Sequence, residues 1–234
     1  MIYYEYSNKQ LEQKAEDLLR DFDEERLYKT KPIDVYAVIE KCLGVPYDWK
    51  YITPDQSILG ATAFKGGTFW VWPENKYYEG LMPYQIEVEP GTIIIDSYLT
   101  EQENRGRENF TVMHEVFHQV LHKKCFRSEA PNYIHTTTRK TIDGNTYLRY
   151  ANYALYMVEH QANACAAAFL MPADITKREY INRYKSAGIS RYNWQFKYDI
   201  IKELSNEFSV SQQAMAIRLQ TLGLIDENKE SLIK

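Results

Sequence analysis

Residues 114–118 read His-Glu-Val-Phe-His, inside the most helix-like stretch of the chain. Four residues make about one helical turn, so His114 and His118 share a face with Cβ atoms roughly 5–6 Å apart. Their ring nitrogens can meet at one ion about 2.0–2.1 Å from each. Glu115, between them, points beside that ion, where a carboxylate can take a proton from metal-activated water. Two histidines do not complete such a site. A third ligand must come from elsewhere, so the fold has to bring a second element against this helix.

That element is legible further along. Glu159-His-Gln-Ala-Asn163 falls in a helical stretch from about Tyr147 to Leu170, closed by Met171-Pro172. Glu159 supplies the carboxylate of a two-histidine, one-glutamate zinc site and leaves the fourth position to water. Asn163, one turn later, faces the same way; its side-chain oxygen can accept from a ligand histidine and set that ring's tautomer. His122 lies about 12 Å along the axis from His114. It reads as a helix C-terminal residue favoured by the dipole rather than as a ligand. His160 points about 100° away from Glu159, and Cys165 reads as core. Tyr156, one turn before Glu159, and Tyr133 and His135, in the long polar segment 123–146, are the candidate transition-state donors.

The 234 residues suffice for one sizeable domain or a domain plus a small appendage, and 44% hydrophobic content can supply its core. Twenty tyrosines suit a polar groove or partner surface, although most read as half-buried surface rings. A net charge of −4 excludes a chain-wide trap for nucleic acid or anionic membrane. Met-Ile-Tyr-Tyr-Glu-Tyr lacks the design of a secretory leader, and Ala162–Pro172 is too short to span a bilayer. Cys42, Cys125 and Cys165 show no C-x-x-C spacing. Reduced thiols, a cytoplasmic location and no membrane partner are the expectation.

Apolar positions Leu11, Ala15, Leu18, Leu19 and Phe22 predict a helix over 9–28; a second runs from Ile33 to Leu43, with Pro32 in its first turn and Gly44 ending it. Tyr47–Tyr51, Ile58–Phe64, Thr68–Trp72 and Thr92–Asp96 read as strands, with Gly66-Gly67 as a hairpin turn. The motif helix begins near Asn109 and runs to about His122. The fold class is α+β: a small, mostly antiparallel sheet packed on the metal helix in domain 1–175, then a helical, HTH-like subdomain in 176–234.

Several segments together resemble the ImmA/IrrE family of zinc-dependent metallopeptidases, whose members include anti-repressors that trigger cleavage of phage- or mobile-element-type repressors. They are Pro32 to Val45, Thr92-Ile-Ile-Ile-Asp96, Asn109 to His122, Glu159 to Pro172, and Phe208 to Ile225. The resemblance implies a zincin-like, gluzincin-type fold and one catalytic Zn2+ on His114, His118 and Glu159. It also implies Glu115 as general base and a protein substrate, a helix-turn-helix repressor or similar regulator. Two departures stand out. The family often has an acidic residue where this chain has Gln161, which should not touch the metal, and the stretch before Glu159 is long.

The C-terminal segment carries the rival reading. Val210 to Leu219 resembles the start of a helix-turn-helix recognition helix with Ser211 as N-cap, and residues 177–220 hold eight Lys/Arg against four Asp/Glu. DNA contact through 208–222 is one expectation. Packing on the core with Ala214, Ile217 and Leu222 inward is the other. A stress-response or toxin–antitoxin regulator with a structural or weakly active zinc site is the corresponding functional alternative.

Overall fold

The computed structural model describes residues 4–74, 78–101, 105–126, 134–138, 153–186 and 194–225. Helix α1 (Asn8–Asp23) starts at a reciprocal cap: the Gln10 amide donates to Ser7 Oγ and the Ser7 amide to Gln10 Oε1. Leu11, Ala15 and Leu19 form its buried stripe, as their spacing predicts. Helix α2 (Val35–Val38) is capped by Asp34, which accepts from the Tyr36 and Ala37 amides, and continues as a π turn (Ile39–Leu43). The expected start at Ile33 is therefore two residues early. Pro32 lies ahead of the cap, where its carbonyl accepts from Arg26. Gly44 ends the turn at φ 61°, a left-handed conformation that a Cβ disfavours.

The strands are β1 (Tyr47–Lys50), β2 (Ile58–Thr62), β3 (Gly67–Val71), β4 (Tyr84–Val88), β5 (Ile93–Asp96) and β6 (His135–Thr138). Four of them form a mixed sheet in the order β1-β5-β2-β6, with β1 parallel to β5 and the other pairings antiparallel. Gly66-Gly67 does not close a hairpin between β2 and β3. Both edges of β2 are taken by β5 and β6, so the chain leaves the sheet and β3 pairs with β4. Gly66 makes this exit at φ 75°, where a Cβ would lie 2.7 Å from the Val88 carbonyl. β4 and β6 are not apparent from the sequence pattern. Gln85 and Glu87 dilute the strand signal of the first, and the second sits in the polar segment expected to be loop.

β5 divides the apolar interior into two layers. Ile93 and Ile95 face the helices, together with Leu59, Val112, Met113 and Phe169. Ile94 faces the other way, with Ile52, Ala61 and the partly buried Phe69, Ile86 and Val88 of the β3–β4 ribbon. Each such buried side chain stabilises the fold by about 1.5–3 kcal/mol.

Asp96 ends β5 and caps α3 (Ser97–Thr100). Helix α4 (Gly106–Phe117) follows and continues as a π turn (His118–His122). It starts three residues before the expected Asn109 and is buried on most sides, between the sheet and α5 (Tyr153–Leu170). Three further helices complete the described chain: α6 (Ala173–Ser186), α7 (Trp194–Glu207) and α8 (Gln212–Thr221).

Ser211 caps α8, accepting from the Ala214 amide at 3.1 Å. Gly106, the first residue of α4, touches the backbone just before this cap; a Cβ there would be 2.4 Å from the Ser211 nitrogen. α8 faces the core with Met215, Ala216, Arg218 and Leu219, whereas Ile217 is 47% exposed. The expected inward face is thus rotated, and Arg218 is the reason. Its Nε donates to the Met171 carbonyl at 2.9 Å, and its two terminal nitrogens donate to the Glu12 carboxylate at 2.5 and 2.8 Å. Removing one partner of such a pair strands the other. Arg218→Ala should destabilise the protein by about 3 kcal/mol in urea unfolding, and a loss under about 1 kcal/mol would mean the pair does not dock α8.

Candidate metal centre

α4 presents His114 and His118 on one face, with ring centroids 4.5 Å apart and Nε2 atoms 2.8 Å apart. α5 brings Glu159 to them: Oε2 lies 3.2 Å from His114 Nε2 and Oε1 3.5 Å from His118 Nε2. All three side chains are buried, and their ligand atoms lie within 4.8 Å of one another.

The hydrogen bonds behind the rings decide what the front nitrogens can do. Asn163 Oδ1 can only accept, so His114 donates to it from Nδ1 at 2.8 Å, which leaves the neutral ring's Nε2 bare. His118 is set by a longer chain. Gln161 donates from Nε2 to the Tyr4 carbonyl at 2.7 Å, so its Oε1 accepts from His122 Nε2 at 3.0 Å. His122 Nδ1 then accepts from His118 Nδ1 at 3.0 Å, and His118 Nε2 is bare as well. Two lone pairs therefore face each other next to a carboxylate. Glu159 Oε2 accepts no hydrogen bond there, although it is buried. A divalent cation satisfies all three atoms at once, so the donor set fits a metal.

The charges agree with this. Burial opposes ionisation of Glu159, but the histidines around it, with His135 donating to Oε1, outweigh it and hold the carboxyl well below its usual range. Burial keeps His118 well below the usual imidazole value. It also opposes the His114 cation, yet Glu159 outweighs it and raises that ring. A proton on His114 and a metal ion are alternatives for one position.

Glu115 occupies the adjacent buried space. Thr62 of β2 donates to its Oε2 at 2.6 Å, while Oε1 has no hydrogen-bond partner. Burial raises its carboxyl above the ordinary value. Gly60 makes the room, since a Cβ there would meet Glu115 Oε1 at 2.6 Å. Neither Gly60 nor Thr62 emerges from the sequence reading. A glycine inside a β-branched run is the one signal available, because it marks a close approach.

The remaining candidates divide. His135 lies on β6 and its Nε2 donates to Glu159 Oε1 at 2.5 Å, with its ring 4.6 Å from that of His118. The Tyr156 ring stacks near His160, with ring centroids 6.0 Å apart. Tyr133 lies outside the described residues. His122 is not the dipole-stabilised cation expected: it is 1% exposed, and burial lowers its ring to about 4, so it stays neutral. Its place in the π turn, covered by α5, puts it in contact with His118 instead of solvent. Cys165 is core, as expected, with its thiol directed at the Leu11 carbonyl.

No family model matches this chain, and no curated protein matches it. The site stands on its own geometry. His122→Leu should leave all three ligands in place but remove the acceptor that sets the His118 tautomer. Metal affinity should fall about 10–100-fold in a chelator competition, with the circular dichroism spectrum unchanged.

Proposed function

We propose that this chain is a zinc-dependent endopeptidase of the ImmA/IrrE kind that cuts a helix-turn-helix repressor or similar regulatory protein. The observation that carries the reading is the buried His114–His118–Glu159 cluster with its two bare nitrogens, set beside a second buried carboxylate on the same helix. Bound zinc supplies a Lewis acid that polarises a carbonyl and activates water. His114, His118 and Glu159 hold it, and Asn163 and His122 keep the two histidine rings in the ligating tautomer.

Glu115 acts as the base in this scheme. Its raised proton affinity, a consequence of burial, suits a group that takes a proton from water and passes it to the leaving nitrogen. Thr62 holds one oxygen of that carboxylate and leaves the other for the proton. Among the described residues β6 is an edge strand of the mixed sheet, and it carries His135 at the cluster. An extended substrate segment can pair along that edge, with His135 as the donor to the developing oxyanion.

The repressor as substrate rests on the resemblance of five sequence segments, including Glu159 to Pro172. Among the described residues no helix is long and apolar enough to cross a membrane. Against the DNA-contacting alternative for 208–222, three arginines of the basic stretch 177–220 are engaged within the protein. Arg178 donates to the Tyr28 carbonyl, Arg183 pairs with Glu179, Glu203 and Glu207, and Arg218 pairs with Glu12.

Glu115→Gln should keep a full complement of zinc while cleavage of a repressor panel, followed by mass spectrometry, disappears. Unchanged cleavage removes Glu115 as the base. Full zinc occupancy in Glu159→Ala would sink the third ligand, and a salt-dependent shift of operator DNA by the wild type would favour the regulator. Gly60→Ala should also retain zinc yet lose roughly 100-fold or more in kcat, because its Cβ displaces the Glu115 carboxylate.

A further inference from the structure

Behind the metal centre lies a cavity of about 270 Å³ that the proposed chemistry does not use. Leu11 of α1, Phe110 of α4, Ala164 and Ala167 of α5, and Ala214 and Ile217 of α8 give it an apolar lining. Asn163 also reaches its wall, and this is the residue whose Oδ1 holds His114. The cavity therefore touches the back of a ligand support while the metal-facing nitrogens point the other way.

Its electrostatics are one-sided. Glu12 and Arg218 on the wall neutralise each other in a bidentate pair. Arg107 remains, a partly buried cation with neither an ion pair nor a hydrogen bond among the described residues. The first turns of α1, α4 and α8 also begin on this cavity, at Asn8, Arg107 and Gln213, and their dipoles add in the same sense.

We infer that this cavity is a regulatory binding site for a small amphipathic carboxylate, a medium-chain fatty acid or an equivalent, bound with its charge on Arg107 and its chain along Phe110, Ala164 and Ile217. The size fits one such molecule, near the lower limit of small-ligand pockets. Arg107, the one uncompensated cation among the described lining residues, selects one negative charge, and the apolar lining selects a tail. A chain packed against Asn163 changes how firmly that amide holds His114, which couples occupancy to metal affinity.

Octanoate is the probe, with octanamide as its uncharged counterpart, both titrated into the zinc-loaded full chain by calorimetry. Octanoate should bind at one site with a Kd on the order of 0.1–1 mM. Octanamide should bind about tenfold more weakly or worse. Arg107→Gln should erase the difference between the two, and Ala164→Phe, which fills the cavity, should abolish both. Equal binding of the two probes, or octanoate binding unaltered by Arg107→Gln, overturns the site, as does no heat for octanoate up to about 10 mM.

The regulatory part is read separately, as the zinc affinity of the wild type in a chelator competition with and without octanoate. It should shift about fivefold or more, and the shift should vanish in Arg107→Gln; an unshifted affinity overturns the coupling. None of these readouts needs hydrolysis, so loss of the peptidase reading would leave the binding site standing.

Discussion

The packing of α5 against α4 is the contact on which the rest depends. Small residues, Ala162 and Ala166, sit fully buried on α5 and let the two helices approach. One stretch of α5 then serves three histidines of the other segment. Glu159 meets His114 and His118, Gln161 meets His122, and Asn163 meets His114. A change that moved α5 by an ångström would disturb every one of these bonds together, because they share a single rigid element.

That arrangement is electrostatically costly. Two carboxylates, Glu115 and Glu159, are removed from water, and each keeps one oxygen without a hydrogen bond. An unsatisfied buried acceptor costs about 1–3 kcal/mol, and an unpaired buried charge more. The fold tolerates this because a large apolar interior from α1 through α8 supports the site, with β5 buried on both faces. Stability is sacrificed locally at the candidate metal site. The same logic explains why Thr62 and Gly60 meet Glu115: a strand with no bulky side chain at position 60 is the surface that lets the carboxylate fit.

Much of the site was legible in one dimension because its parts are local. His114 and His118 share a face through helical spacing alone, and the Glu159–Asn163 spacing puts carboxylate and amide on one side of α5. The α1 stripe and the Ser211 cap follow from the same short-range rules. The failures that matter to the site and its surroundings are non-local. Gly66-Gly67 looks like a hairpin turn, but whether a turn closes depends on which edge of β2 is vacant, and β5 and β6 arrive from far along the chain. Ile217 fits an apolar face by period, yet Arg218 sets the helix rotation by reaching Glu12, more than two hundred positions away. His122 reads as a solvated helix end until α5 covers it and Gln161 supplies an acceptor.

The sequence by itself determined the chemistry available: two imidazoles on one helical face with a carboxylate beside them, a second carboxylate and an amide on another helix, and an α+β pattern around them. Those features are written in spacings of three to five residues, which the helix repeat converts directly into geometry. Tertiary structure decided everything that depends on a partner distant in the chain. It chose the ring tautomers through Asn163 and the His122–Gln161–Tyr4 chain, brought His135 to the cluster, and opened the cavity behind Asn163. Side-chain hydrogen bonds between segments separated by dozens of residues exist only once the core has packed, and no local pattern encodes where they will meet.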